Sequence, residues 1–391
     1  MHTLFSALLL TLVLVPPALA TDGVLEISQT CAVQTGCFAG DPAGYPITIT
    51  ATGSYRLTSN LTLPDADTNG IEIDAAGVAL DLGGFSILGP TTCTTNVDST
   101  TCSPSGTGFG IIGAEPFNGI QIRNGVVKGA GSFGLVVASY GVIENVGAFE
   151  NAGGGIFASQ GVRLASCDAS RNGGDGIQGV DDVQIIDCTV EFNREWGIQL
   201  IGSGGEARST HARNNFAGGI NAGEAAIVSG STASLNGQDG IQAGNGSTIN
   251  GNTASRNGRH GVFGGEGITI VDNTSFTNGQ DGIQAGDGST IAGNAVNRNG
   301  DDGIVGAGGM TIVDNTSFAN GGDGILAFLG SNIQRNSARL NQGVGLRLLN
   351  SSVAYGGNVF HGNLTGAVEG SGQNLGGNFC AGLNVIDSTC P

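Results

Sequence analysis

Basic residues are scarce in this chain. Fourteen Lys and Arg stand against 32 Asp and Glu over 391 residues, giving a formal net charge of −18. Lys128 is the only lysine. Neutralising phosphates takes clustered cations, so nucleic acid is excluded as an expected partner. Direct contact with any other polyanion is disfavoured for the same reason, unless a cation bridges the two. No segment after residue 20 is apolar for long enough to suggest a membrane span. Aromatics make up only 5% of the residues. No Cys-x-x-Cys or Cys/His cluster occurs, which argues against a structural zinc site.

The first twenty residues differ from the rest. An apolar run from Leu4 to Val15 ends in a small-x-small exit at Ala18-Leu19-Ala20. This has the form of a secretory signal, although His2 stands where Lys or Arg is usual. Residues 21–391 are then expected outside the cytoplasm, secreted or at the cell surface. All eight cysteines lie in that part, and an even count in a secreted chain favours disulfides. Sequence neighbours suggest Cys31–Cys37, Cys93–Cys102, Cys167–Cys188 and Cys380–Cys390, though other pairings remain open.

Glycine is abundant, at 72 residues. It is periodic rather than scattered. Glycines followed by Ile, Val or Leu fall at 134, 155, 176, 197, 219, 240, 261, 282, 303, 324 and 345. Every step is 21 residues except the 22 from 197 to 219. A fixed period of that size signals a solenoid. Apolar residues alternate with period two, as in Ile241-Gln242-Ala243, and a second apolar column stands nine residues after the glycines, from Ile143 to Ile333. Turn residues recur too often for helices. The fold class is therefore all-β, a β-solenoid with about 21 residues and three short strands per coil. Residues 236–277 and 278–319 match at 29 of 42 positions, which is the duplication of two whole coils.

Asparagine stands four residues before ten successive anchors, from Asn151 to Asn341. Asn tolerates left-handed turn backbone, and stacked amides can form a ladder. Ten equivalent residues read as architecture rather than catalysis. A second ladder, nine before the anchors, runs from Asn252 to Asn336, and Cys167 and Cys188 occupy the same column earlier. Stacking at about 4.8 Å lies within the Cα range for a disulfide, which makes this bridge the one best supported by spacing.

Three stretches carry a resemblance: ITITATGSYRLTSNLTL (47–63), NGIEIDAAGVALDLGGFSILG (69–89) and NGIQIRNGVVKGAG (118–131), followed by the NGxxGI coils and a closing GGNFCAGLNVIDSTC (376–390). The chain resembles the right-handed parallel β-helix repeat proteins of the pectin-lyase-like superfold. The resemblance implies a signal over 1–20, an N-terminal cap over 21–45, the β-helix over 46–370 and a disulfide-closed end over 371–391. That superfold includes pectate and pectin lyases, polygalacturonases, alginate epimerases, adhesins and phage tailspikes, so activity has to be argued from a site. No catalytic motif of those enzymes carries over. Gly300-Asp301-Asp302-Gly303 and Arg259-His260-Gly261 look like polygalacturonase elements in reversed order, without the accompanying Asn-Thr-Asp and Arg-Ile-Lys.

The remaining candidate is the column one residue before the anchors: Asp175, Trp196, Gly218, Asp239, His260, Asp281, Asp302 and Asp323. Asp281, Asp302 and Asp323 stack in a row. Turns are commonly polar, so the first expectation is that these carboxylates splay into solvent. They could instead share Ca²⁺, the one cofactor considered, or hold one acid with a raised pKa. Asp281 and Asp323, two coils apart, would be separated by roughly 9–10 Å, near the spacing of inverting glycosidases. His260 between Asp239 and Asp281 could be a catalyst or an ordinary surface residue. Trp196 could stack on a sugar. Phe276 and Phe318 read as packing. A second acidic column, Asp181, Glu224, Asn245, Glu266 and Asp287, is expected to face solvent. Two readings follow. One is a secreted rod that binds extracellular or cell-surface polysaccharide without catalysis. The other is a polysaccharide-active enzyme, either a glycoside hydrolase or a lyase or epimerase.

Overall fold

The structure is a computed structural model and describes residues 23–96, 99–381 and 390. The signal expected over residues 1–20 lies outside the described residues. Each coil contributes three short strands. In one coil they are Ile241–Ala243, Thr248–Asn250 and Thr253–Ser255. The first strand of each coil joins a parallel sheet of 15 strands, and the second and third together form a parallel sheet of 29. Register is preserved from coil to coil: Ile241 pairs with Val262, Thr248 with Thr269 and Thr253 with Thr274.

Alternation fixes what faces inward. Ile241, Ile249, Ile270, Ile283 and Ile291 are fully buried in one continuous core. The second and third strands are separated by two residues, the first of positive φ, in a column that reads Gly251, Asp272, Gly293, Asp314. Only Gly, or a short polar residue such as Asp, takes that backbone at low cost. The third strand ends at another positive-φ residue, where Arg256, Thr277 and Arg298 are held at 54–59°. The following Asn secures this turn. Asn257 Nδ2 donates to Asn278 Oδ1 at 3.0 Å and to Ala233 O at 3.1 Å, and equivalent bonds link Asn151 through Asn363.

Val24–Ile27 pairs with Ser54–Leu57, and the short helix Gln29–Gln34 follows at that end. An antiparallel hairpin, Thr92–Thr95 with Thr100–Ser103, leaves the solenoid and lies on the Asn turns, where Thr100 Oγ1 donates to Phe192 O. Disulfides join Cys31 to Cys37, Cys93 to Cys102 and Cys380 to Cys390.

The fourth expected bridge is not formed: Cys167 and Cys188 are buried thiols. Stacking places them within reach, but in-register strands give both side chains the same direction. Cys188 Sγ lies 3.4 Å from the Cys167 backbone N, in the role that Ser231 Oγ plays for Thr210 and Asn252 Oδ1 for Ser231. Parallel Cβ vectors do not converge on a disulfide. The cysteines are ladder members. No helix among the described residues is long and apolar enough to cross a membrane.

Candidate functional site

The acid column sits where the Asn turn enters the 15-stranded sheet. Asp175, Asp239, His260, Asp281 and Asp323 are buried, and Asp302 is half-buried. The expected splaying into solvent is therefore wrong. Its reason lies in the backbone: the column residue of the next coil presents an N–H that the carboxylate accepts. Trp196 N donates to Asp175 Oδ1 (2.8 Å), His260 N to Asp239 Oδ1 (3.1 Å), Asp302 N to Asp281 Oδ1 (3.0 Å) and Val344 N to Asp323 Oδ1 (2.8 Å). Asp323 N donates likewise to Asp302 Oδ1. The carboxylates form a third ladder, one that carries charge.

That charge is compensated unevenly. Arg259 Nη1 lies 3.6 Å from Asp239 Oδ2. Arg347 forks onto Asp323 through Nε and Nη2 and reaches Glu369 through Nη1 at 2.7 Å. Among the described residues the only basic group that Asp281 meets is His260, whose Nδ1 is 3.3 Å from its Oδ2 but off the angle for a hydrogen bond, so that buried nitrogen makes none. Asp302 has no basic partner among the described residues. Burial, and then the charges of Asp323, Asp281 and Asp301, push its carboxyl up to about 6 against the bond from Asp323 N–H. Asp175 is also pushed up to about 6, mainly by burial. Asp281, Asp301 and Asp302 can each bring one oxygen within 4.8 Å of the others.

The column can accordingly do three things: hold coil register, retain a proton on Asp302 at mildly acidic pH, and gather carboxylates in its middle. A two-carboxylate hydrolysis through Asp281 and Asp323 finds Asp323 already held by Arg347 and the Val344 N–H. Trp196 is half-buried, and its ring lies over Gly218, where an added Cβ would come 2.0 Å from Cζ3. Phe318 is half-buried beneath Arg298, with 5.8 Å from guanidinium to ring centroid. In the second acidic column Glu224, Asn245, Glu266 and Asp287 are exposed, while Asp181 is half-buried and accepts Ser203 N–H at 2.8 Å.

Sequence reasoning missed a trough on the outer face of the 15-stranded sheet. It encloses about 500 Å³ and is lined by Ile201, Asn221, Glu224, Gln242 and Phe263, among others. The signal was present two residues after the anchors, where Gln178, Gln199, Asn221, Gln242 and Gln284 recur. These are the outward positions of the first strands, and they stack as an amide stripe interrupted by Phe263. The His260 ring lies 5.7 Å from that of Phe263, so the acid column borders the trough. A second cleft of about 520 Å³, with Phe192, Phe216 and Leu235 in its lining, opens beside the hairpin.

A family model described as "Right handed beta helix region" matches residues 47–222, 177–311 and 264–389. No curated protein sequence matches the chain. Among solved structures, the A-module of the mannuronan C-5 epimerase AlgE6 of Azotobacter vinelandii is similar at 13% identity, covering 84% of this chain and 89% of that one, with a TM-score of 0.43. The periplasmic alginate epimerase AlgG matches at 13% identity over 91% and 83%, with a TM-score of 0.38. Pectate lyase Pel9A matches at 13% identity over 76% and 79%, with a TM-score of 0.41. None of these likenesses is close enough to carry an argument about the site.

Proposed function

The chain belongs to the right-handed β-helix family, and from that premise we propose that it is an exported rod that binds polysaccharide in the trough of its 15-stranded sheet without turning it over. The trough is the observation that carries this reading. Asn221 and Gln242 offer amide donors and acceptors, Glu224 an acceptor, and Phe263 a ring face, all on one open surface. Paired donors and acceptors suit sugar hydroxyls, and a ring suits their C–H faces. An open trough along stacked coils accommodates a linear polymer rather than a small molecule. Three disulfides support an oxidising compartment outside the cytoplasm.

The bonding of the acids opposes turnover. In the column every Asp spends one oxygen on the backbone of the next coil, and Asp239 and Asp323 face arginines as well. One observation favours a second reading, a glycoside hydrolase: Asp302, pushed up to about 6, could serve as a general acid. A turnover screen of the purified protein over neutral and acidic polysaccharides separates the two. Retention without new reducing ends or unsaturated products supports binding. Products that vanish in Asp302→Asn would replace it with the hydrolase.

A further inference from the structure

Between Arg259 at Asp239 and Arg347 at Asp323, the carboxylate ladder has a stretch with no basic partner among the described residues except His260. Two adjacent coils meet there. We propose that Asp281, Asp301 and Asp302 hold one oxygen-preferring divalent cation that ties these coils together, with the His260 imidazole as a donor at its rim.

Two independent observations support the site. The first is geometric. The three carboxylates can each place an oxygen within 4.8 Å of the others. Ligand distances of about 2.3–2.6 Å around Ca²⁺ allow oxygens up to about 5 Å apart across the ion. Asp281 and Asp302 use Oδ1 for the ladder bonds, which leaves Oδ2 on each for a ligand. Asp301 is exposed and Asp302 half-buried, so the site opens to solvent on one side and water can complete the shell.

The second observation concerns histidine. The His260 side chain is only 9% exposed, and its Nδ1 is buried without a hydrogen-bond partner. It points at Asp281 Oδ2 from 3.3 Å. A buried polar atom without a partner is costly, and so is a carboxylate cluster without a counter-charge. One cation beside Asp281 relieves both. Three carboxylates make the donor set predominantly hard, which favours Ca²⁺ over Zn²⁺, while an imidazole that joined the shell would also admit Zn²⁺. This inference does not depend on polysaccharide binding, and its readouts need no glycan.

The test is calorimetric titration of chelator-treated protein with Ca²⁺, and separately with Zn²⁺, alongside thermal unfolding with and without Ca²⁺. The expected result is one Ca²⁺ per chain and a Tm that rises with it. Asp301→Asn removes an exposed ligand without touching the core and should raise Kd about tenfold or more, since affinity follows ligand charge. Asp281→Asn and Asp302→Asn keep an amide oxygen for the ladder bond, so register survives while the Ca²⁺ effect on Tm is lost. His260→Gln should weaken Zn²⁺ more than Ca²⁺. No heat and no Tm shift at millimolar Ca²⁺ would overturn the site, as would unchanged binding in folded Asp301→Asn and Asp302→Asn proteins.

Discussion

Asp281 Oδ1 accepts the backbone N–H of Asp302 at 3.0 Å, one coil further along the solenoid. A side chain that looks catalytic by type is thereby part of the coil-to-coil hydrogen bonding. Its neighbour carries the electrostatic consequence. Because Asp302 in turn accepts from Asp323, its carboxyl is drawn into a half-buried, negatively charged place.

A pH dependence follows. The folded-state pKa of Asp302 is raised to about 6 from an ordinary value of 3.8, so the folded chain holds a proton that the unfolded chain has released. Stability then falls as pH rises from about 4 to 6 and levels off above, because the native state binds more protons across that window. Asp175 adds a step of the same sign. Thermal unfolding against pH in the presence of chelator should show the fall, and Asp302→Asn should flatten it. A Tm that climbs steadily through this window in both proteins would contradict the assignment.

Asn257 is the clearest test of the Asn ladder. Its Oδ1 accepts from Asn236 N and Nδ2, and its Nδ2 donates to Ala233 O and Asn278 Oδ1. Asn257→Ala leaves the buried Asn236 N–H without its acceptor and takes one bond each from Asn236 Nδ2, Ala233 O and Asn278 Oδ1, at a cost of roughly 3 kcal/mol. Hydrogen exchange should show the loss concentrated in the two flanking coils, since solenoid repeats couple to nearest neighbours.

Cys167 and Cys188 should titrate as two thiols per chain after denaturation under non-reducing conditions, with none reactive in the native state. Cys188→Ser keeps a ladder acceptor and should cost little. Mass spectrometry that found no free thiol would contradict the ladder role of this pair.

Gly218 gives a spectroscopic handle, because Trp196 is the only tryptophan. Gly218→Ala would put a Cβ 2.0 Å from the indole Cζ3. Trp196 should be displaced toward water, shifting its emission to the red, while the far-ultraviolet spectrum stays that of a β protein.

The coil period, the three strands and the Asn column were legible because each repeats a residue type whose reason is local: Gly at a close approach, Asn at a tight turn, Ile facing the core. The direction of the carboxylates was not. It depends on a backbone N–H one coil away, and no residue type signals that, since Asp is equally at home in a solvated turn. Cys167 and Cys188 failed for a related reason, because sequence spacing gives proximity but not the shared side-chain direction that parallel register imposes. The trough was written in the alternation at Gln178, Gln199, Asn221 and Gln242, but it becomes a surface only once the coils are stacked.

The central claim is that polysaccharide is held at Phe263 and Gln242 rather than processed at the acids. Affinity electrophoresis of the native protein through gels containing each polysaccharide, beside Phe263→Ala, Gln242→Ala and Asp302→Asn, tests it most directly. The account predicts retardation that is lost in the first two variants and kept in the third. Retardation unaffected by Phe263→Ala and Gln242→Ala would contradict it and move the binding face elsewhere on the rod.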